Sequence, residues 1–325
     1  MKDNRTVDCN DQGAEFIQAQ VDMTIQELVD LKMDDPKEMS KLLPFNIWAK
    51  EQVHDPILAT QVTMFHCGGL ALGVSLAHRI GDASTFITFL NQWAALSRRD
   101  TDVELFDMGN FTSSSLFPRR GLSPMEPGLA TFEPMDNYVT KKLWFHESAI
   151  LKMKAKATLN GKNNSRPLSK ARLVSALLWK AFIGVDHASS GHHRDSALVQ
   201  PINLRRKKVT NALANHVTQN IEEYSKVGSD NHETAQMISN SFSQLTNVQD
   251  TTNLIWLSSW CNFHFYGINF GFGEPITISF GTAPFKRGMM LLDDSKGNGV
   301  EAYVSMRGKD VPYFEQDEDI KAFFI

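Results

Sequence analysis

The run His78-Arg79-Ile80-Gly81-Asp82 sets an imidazole and a carboxylate four residues apart, at a point where the chain changes its period. Before it, Leu70-Ala71-Leu72-Gly73-Val74-Ser75-Leu76-Ala77 alternates large and small residues, as a strand does with one bulky face in a core. After it, Phe86, Leu90 and Trp93 form one stripe, with Phe89 and Leu96 beside it, and predict a helix that starts soon after Asp82. A histidine where that strand ends has its ring directed out of the sheet edge, within reach of a substrate hydroxyl or amine. Imidazole ordinarily titrates at about pH 6.5, so a neutral fraction able to accept a proton exists near pH 7. Such a base can deprotonate an alcohol or amine as it attacks a thioester carbonyl, which is worth roughly 10²- to 10⁴-fold in rate. By spacing alone, a catalytic base and a satisfied structural histidine both stay open. Asp82 has two readings as well: an orienter of the ring, or, preferred here, a cap for the free N–H groups of the helix that follows.

Other nucleophiles are poorly placed. Gly73-Val74-Ser75-Leu76-Ala77 partly matches a nucleophile elbow, but the alternation runs straight through Ser75, which belongs within a strand rather than on a sharp turn. Cys67 adjoins His66, and neighbours on a strand point to opposite faces, so a small buried cysteine is expected. His192-His193 lacks the cysteine or carboxylate spacing of a zinc site and reads as a polar loop.

The elements that must position these groups suggest an α/β protein of two parts. At 325 residues the chain exceeds what one core usually organises. Residues 14–32 mix strand and helix signals. Residues 108–137 hold Pro118, Pro124, Pro127 and Pro134 with three glycines and no sustained period, and read as a long crossover. That divides the chain into domains at 1–107 and 138–325. In the second, Thr140–Phe145 and Val300–Ser305 read as strands, as do Ala197–Leu204 and Ile276–Phe280. Ser148–Ala157 reads as a short helix. Ser169 caps a stronger one with Leu173, Leu177 and Ala181 on its buried stripe and Val174 and Leu178 alongside.

Composition narrows the partners. A net charge of −4 gives no electrostatic reason to expect nucleic acid, and the short run Arg205-Arg206-Lys207-Lys208 reads as a solvated face. No apolar run approaches a membrane span, and the start lacks the apolar centre of a secretory signal. The three cysteines are few, odd in number and far apart, which favours a reducing compartment such as the cytosol.

Several segments in order carry a family resemblance. Phe65 through Gly73, with Ser75-Leu76-Ala77-His78-Arg79-Ile80-Gly81-Asp82 and Phe89-Leu90-Asn91-Gln92-Trp93-Ala94, resembles the H-x-x-x-D region of the plant BAHD acyltransferases. Ser175-Ala176-Leu177-Leu178-Trp179-Lys180 and Ile202-Asn203-Leu204-Arg205 are similar to later segments of that family. Ser258-Ser259-Trp260-Cys261 and Asn269-Phe270-Gly271-Phe272-Gly273-Glu274-Pro275 resemble the region of its second motif, D-F-G-W-G, and Gly299-Val300-Glu301-Ala302 matches near the end. The branch it most resembles acetylates hydroxyls of alkaloids and related metabolites.

The resemblance implies a two-domain fold of chloramphenicol-acetyltransferase type, in which acyl-CoA and a small-molecule alcohol or amine meet in a channel between the domains. It implies His78 as general base, no bound cofactor, no metal, no covalent enzyme intermediate and a monomer. It also implies an ion pair of Asp82 with Arg205, and a structural role for Asn269, Gly271 and Gly273 remote from the chemistry. Departures from the pattern are Asn269 for Asp, Phe272 for Trp and Arg172 for a frequent Glu. The first residues match a point inside the family's first domain, and the stretch from Lys207 to Asn253 is short. A first domain lacking flanking strands is therefore expected, with poor solubility and weakened or absent activity. The alternative to an enzyme is a non-catalytic paralogue that keeps the fold.

Overall fold

The computed structural model describes residues 7, 10–30, 36–44, 55–78, 80–99, 137–159, 168–201, 203, 251–281 and 286–323. Three strands, β1 (Glu15–Val21), β2 (Leu58–Phe65) and β3 (Leu70–Leu76), make one sheet in the order β1-β2-β3. β1 runs parallel to β2 with Phe16 opposite Thr60, and β2 runs antiparallel to β3 with Leu58 opposite Leu76. The β2–β3 hairpin closes through Gly68 at φ +83°, a left-handed conformation that favours glycine. Two short helices, α1 (Ile25–Asp30) and α2 (Pro36–Ser40), precede β2. A Cβ on Gly73 would lie 2.0 Å from the Leu42 carbonyl oxygen, so the chain after α2 approaches β3 more closely than any side chain allows.

Helix α3 (Ala83–Arg98) crosses the sheet face that carries Leu58, Thr60, Val74 and Phe16. Its buried face is formed by Ile87, Leu90, Ala94 and Ala95. The large rings expected there, Phe86, Phe89 and Trp93, flank that face half-buried, while Leu96 is exposed. The bulky rings splay to either side of the face that Ile87, Leu90 and Ala94 bury.

The second sheet has the order β4-β8-β7-β6-β5. Its strands are β4 (Tyr138–Phe145), β5 (Asp195–Val199), β6 (Thr252–Ser259), β7 (Arg287–Asp293) and β8 (Val300–Arg307). β5, β6 and β7 are parallel neighbours, whereas β8 is antiparallel to both β7 and β4. One face packs against α4 (Glu147–Leu159) and α5 (Lys170–Ser190), with α6 (Val311–Gln316) and α7 (Glu318–Phe323) closing the core. Phe145, Val174, Leu178, Phe182, Leu291 and Phe314 are almost wholly buried there. Ser169 caps α5 by accepting a hydrogen bond from the Arg172 amide at 3.3 Å. At the other end of α5, Asp186 receives Arg194 Nε at 3.0 Å and Arg287 Nη1 at 3.0 Å, and Arg287 also donates to Asn253 Oδ1 at 2.8 Å.

Ile276–Phe280, expected to be a strand, forms no ladder. It is an irregular segment whose Ile278 and Phe280 pack into a second core, and the Ile278 carbonyl accepts a hydrogen bond from the Tyr303 hydroxyl. Side-chain packing and bonds such as this one replace the paired edge that a strand needs. The expected strand at 197–204 ends at Val199. Residues 108–136 of the expected crossover lie outside the described residues. Among the described residues no helix is long and apolar enough to cross a membrane.

Candidate active site

His78 lies two residues beyond β3, in the turn that leads to α3, and is exposed. The end of the strand is fixed by the Ala77 amide, which donates to the Ile57 carbonyl at 2.9 Å. The Ile80 amide donates back to the Ala77 carbonyl at 3.0 Å and closes a tight turn around the imidazole's backbone. Gly81 suits that turn because a Cβ there would come within 3.0 Å of Leu76 and 3.1 Å of Thr85. Asp82 then starts the helix: its Oδ1 accepts from both the amide and the hydroxyl of Thr85, each at 3.0 Å. The carboxylate thus serves as an N-cap for α3. Arg205, expected as its ionic partner, lies outside the described residues.

The helix that His78 precedes rests on the other half of the molecule. Ile87, Leu90 and Ala94 form one buried cluster with Phe265, Ile268 and Leu292. Aromatic rings tighten the junction: Phe86 meets Trp260 edge-on at 6.3 Å, and Trp93 meets Phe270 edge-on at 5.0 Å. Arg98 donates to the Asn269 carbonyl. The histidine turn therefore sits at one end of a helix whose buried face is the contact between the two sheets' elements.

The segment Asn269–Gly273 forms a turn. Asn269 Oδ1 accepts from the Gly271 amide at 2.7 Å and the Gly273 amide at 3.3 Å. Gly271 and Gly273 have φ of +105° and +112°, which other residues adopt only with strain. Only an acceptor oxygen is required of the side chain, and an amide supplies it. Phe272 stacks on Phe270 and is 67 % exposed.

The discarded nucleophiles fall as the alternation implies, with one exception. Ser75 is buried within β3 and its hydroxyl has no hydrogen-bond partner among the described residues. His193 stacks on His187 at 3.9 Å at the end of α5, and among the described residues no three metal-ligating side chains cluster. Cys67 is the exception: the hairpin tip exposes it instead of burying it. There, hydrogen bonds from the Ile25 and Gly69 amides hold its thiol below the usual range. Cys261 is buried, and desolvation with the nearby Asp293 carboxylate pushes its thiol up to about 11.

Nothing in the sequence pattern signals a buried network on the far face of the five-stranded sheet. There Glu301 Oε1 accepts from Tyr266 at 2.6 Å and from the Trp144 indole at 3.1 Å, while Lys142 Nζ lies 2.8 Å from Oε2. The partners come from β4, β8 and the 260–280 segment, and only the β4–β8 register brings Trp144 opposite Glu301.

Two mixed sheets with flanking helices, joined through the core beside the histidine turn, define an acyltransferase fold of the chloramphenicol-acetyltransferase type. A crystal structure of vinorine synthase superposes with a TM-score of 0.75 at 25 % identity, over 99 % of this chain and 79 % of that one. The crystal structure of F. sporotrichioides TRI101 complexed with coenzyme A and T-2 shares the fold, with a TM-score of 0.67 at 16 % identity over 96 % of this chain and 81 % of the other. In sequence, stemmadenine O-acetyltransferase of Catharanthus roseus is 30 % identical over 342 residues, covering 97 % of this chain and 78 % of that protein. Vinorine synthase of Rauvolfia serpentina is 30 % identical over 330 residues, covering 93 % and 75 %. The Transferase family profile matches residues 2–222 and 207–320. The chain belongs to this family, the BAHD acyltransferases.

Proposed function

We propose that the protein transfers an acyl group, acetyl in the first instance, from acyl-CoA to a hydroxyl or amine of a specialised metabolite, with His78 as general base. The observation that carries this reading is the exposed imidazole at the β3–α3 turn, held by a capped helix that packs against the second sheet's elements. With both substrates bound, neutral His78 takes the proton from the acceptor as its oxygen or nitrogen attacks the thioester carbonyl. The tetrahedral oxyanion collapses, the C–S bond breaks, and CoA leaves as the thiol after the imidazolium returns the proton to its sulfur. Asp82 acts by capping α3, with Arg205 as its ionic partner across the domains. Asn269, Gly271 and Gly273 hold shape. The setting is cytosolic and the acceptor is a small molecule.

The test is a free-thiol assay of the purified chain with acetyl-CoA and a panel of hydroxylated and amine-bearing alkaloids and phenolics. CoA release that requires the acceptor is expected, and His78→Ala should lower it by roughly 10²-fold or more while the circular dichroism spectrum is kept. A variant that retained most of the rate would remove His78 as the base. Binding of acetyl-CoA without turnover of any acceptor would favour a non-catalytic member of the family.

A further inference from the structure

Glu301 is 1 % exposed on β8, and its neighbours Val300 and Ala302 face the opposite core. The carboxylate is neutralised by Lys142, whose ammonium also lies 4.3 Å from the Trp144 ring centroid and 5.3 Å from that of Tyr303. Burial, together with the hydrogen bond to Glu301 and its charge, pushes the Tyr266 phenol far above its usual range. The hydroxyl therefore stays a donor to Glu301 across the physiological range.

What Tyr266 fastens is the surface under α3. Its neighbour Phe265 and nearby Ile268 are the residues on which Ile87, Leu90 and Ala94 rest. Trp260 stacks on Phe265 at 5.2 Å and meets Phe86 of α3. The aliphatic and ring contacts with α3 are dispersive and direction-poor, so they fix distance better than they fix slide. The hydroxyl bond to a buried carboxylate adds direction beneath them. We infer that Tyr266, through Glu301, is a positioning residue for His78: it locks the floor beneath α3 and so sets where the β3–α3 turn holds the imidazole relative to the five-stranded sheet. The inference rests on the acyl-transfer reading given above.

Tyr266→Phe in the full chain removes the hydroxyl's bond to Glu301, together with its hydrogen bonds with Thr277 and the Ile278 backbone, and little volume. At a temperature well below unfolding, kcat for CoA release should fall about ten-fold, while KM for acetyl-CoA stays within about two-fold, as expected when a base is displaced by a fraction of an ångström. The midpoint of the pH–rate profile should not move, because the substitution replaces one neutral ring by another and changes no charge. Glu301→Gln should also slow the enzyme, since it strands Lys142. Adding Lys142→Met should bring the rate back to within about three-fold of wild type, because the glutamine carbonyl still accepts from Tyr266 and no unpaired cation remains. Wild-type kcat in Tyr266→Phe, or a loss of rate that only follows the folded fraction, would overturn the inference. Should the wild-type chain turn over no acceptor, the acyl-transfer reading fails on its own, and amide exchange decides the anchor. Faster exchange across Ala83–Arg98 with Lys170–Ser190 unchanged supports it; equal rates in Tyr266→Phe and wild type at both helices overturn it.

Discussion

The carboxylate of Asp186 is placed where burial alone would push its pKa up. Hydrogen bonding to Arg194 and the charges of Arg287 and Arg194 outweigh burial and hold it below the usual carboxylate range. The side chains of Asp186 and Arg287 are 3 % and 2 % exposed, so removing the anion leaves Arg287, whose Nη2 still lies 3.6 Å from Asp310, and Arg194 short of one carboxylate where there is little water. Asp186→Ala is expected to cost about 3–5 kcal/mol, measured by urea unfolding. Because the folded pKa is depressed, the contribution is fully present above the unfolded value of about 3.9 and is lost as pH falls through the folded pKa. The gap between wild type and variant should therefore be constant from about pH 5 to 8 and narrow only below about pH 4. A gap that widened in acid would contradict this assignment.

At the scale of elements, the Asn269 turn separates shape from charge. Asp at this position would keep both acceptor contacts to the Gly271 and Gly273 amides, and would add a negative charge beside Arg98, which already donates to the Asn269 carbonyl. The site is exposed, so Asn269→Asp combined with Phe272→Trp should leave stability unchanged or raise it by about 0.5–1 kcal/mol. Turnover should change by less than about two-fold, because the turn reaches His78 only through the packing of α3. A large rise in rate at constant stability, in paired unfolding and kinetic measurements, would show a direct role. Local signals of this kind were legible in the sequence. Asp82 and Ser169 announced helix starts, and the alternation of Leu70–Ala77 announced β3. Ile276–Phe280 looked like a strand because its residues are β-formers, yet pairing depends on a neighbour that the pattern does not contain. Glu301 with Lys142, and Asp186 with Arg287, were hidden for a related reason: a charged residue gives no local sign that a distant strand will bury it.

On the scale of the whole molecule, the face of the three-stranded sheet that α3 crosses is incompletely covered. An apolar cleft of about 410 Å³ opens between Phe16, Leu58 and Thr60 on the sheet and Phe89, Trp93 and Leu96 on the helix. Phe16, Met64 and Leu96 are more than half exposed, and Phe272 extends the surface past Trp93. Among the described residues, β1 pairs with a strand on its β2 side alone, and its other edge adjoins this surface. Contiguous apolar area beside an open strand edge drives association. The family resemblance implies a monomer, whereas an exposed apolar surface of this kind favours contact with a second copy, and the 325-residue chain is expected to self-associate as its concentration rises. Size exclusion with light scattering at about 1 and 100 µM should show a growing mass, since association follows mass action. Phe16→Lys with Leu96→Glu replaces two side chains that already face water, and should restore a monomer at both concentrations with unfolding stability within about 1 kcal/mol of wild type. A wild-type chain that stays monomeric throughout this range would show that the open face does not attract another copy.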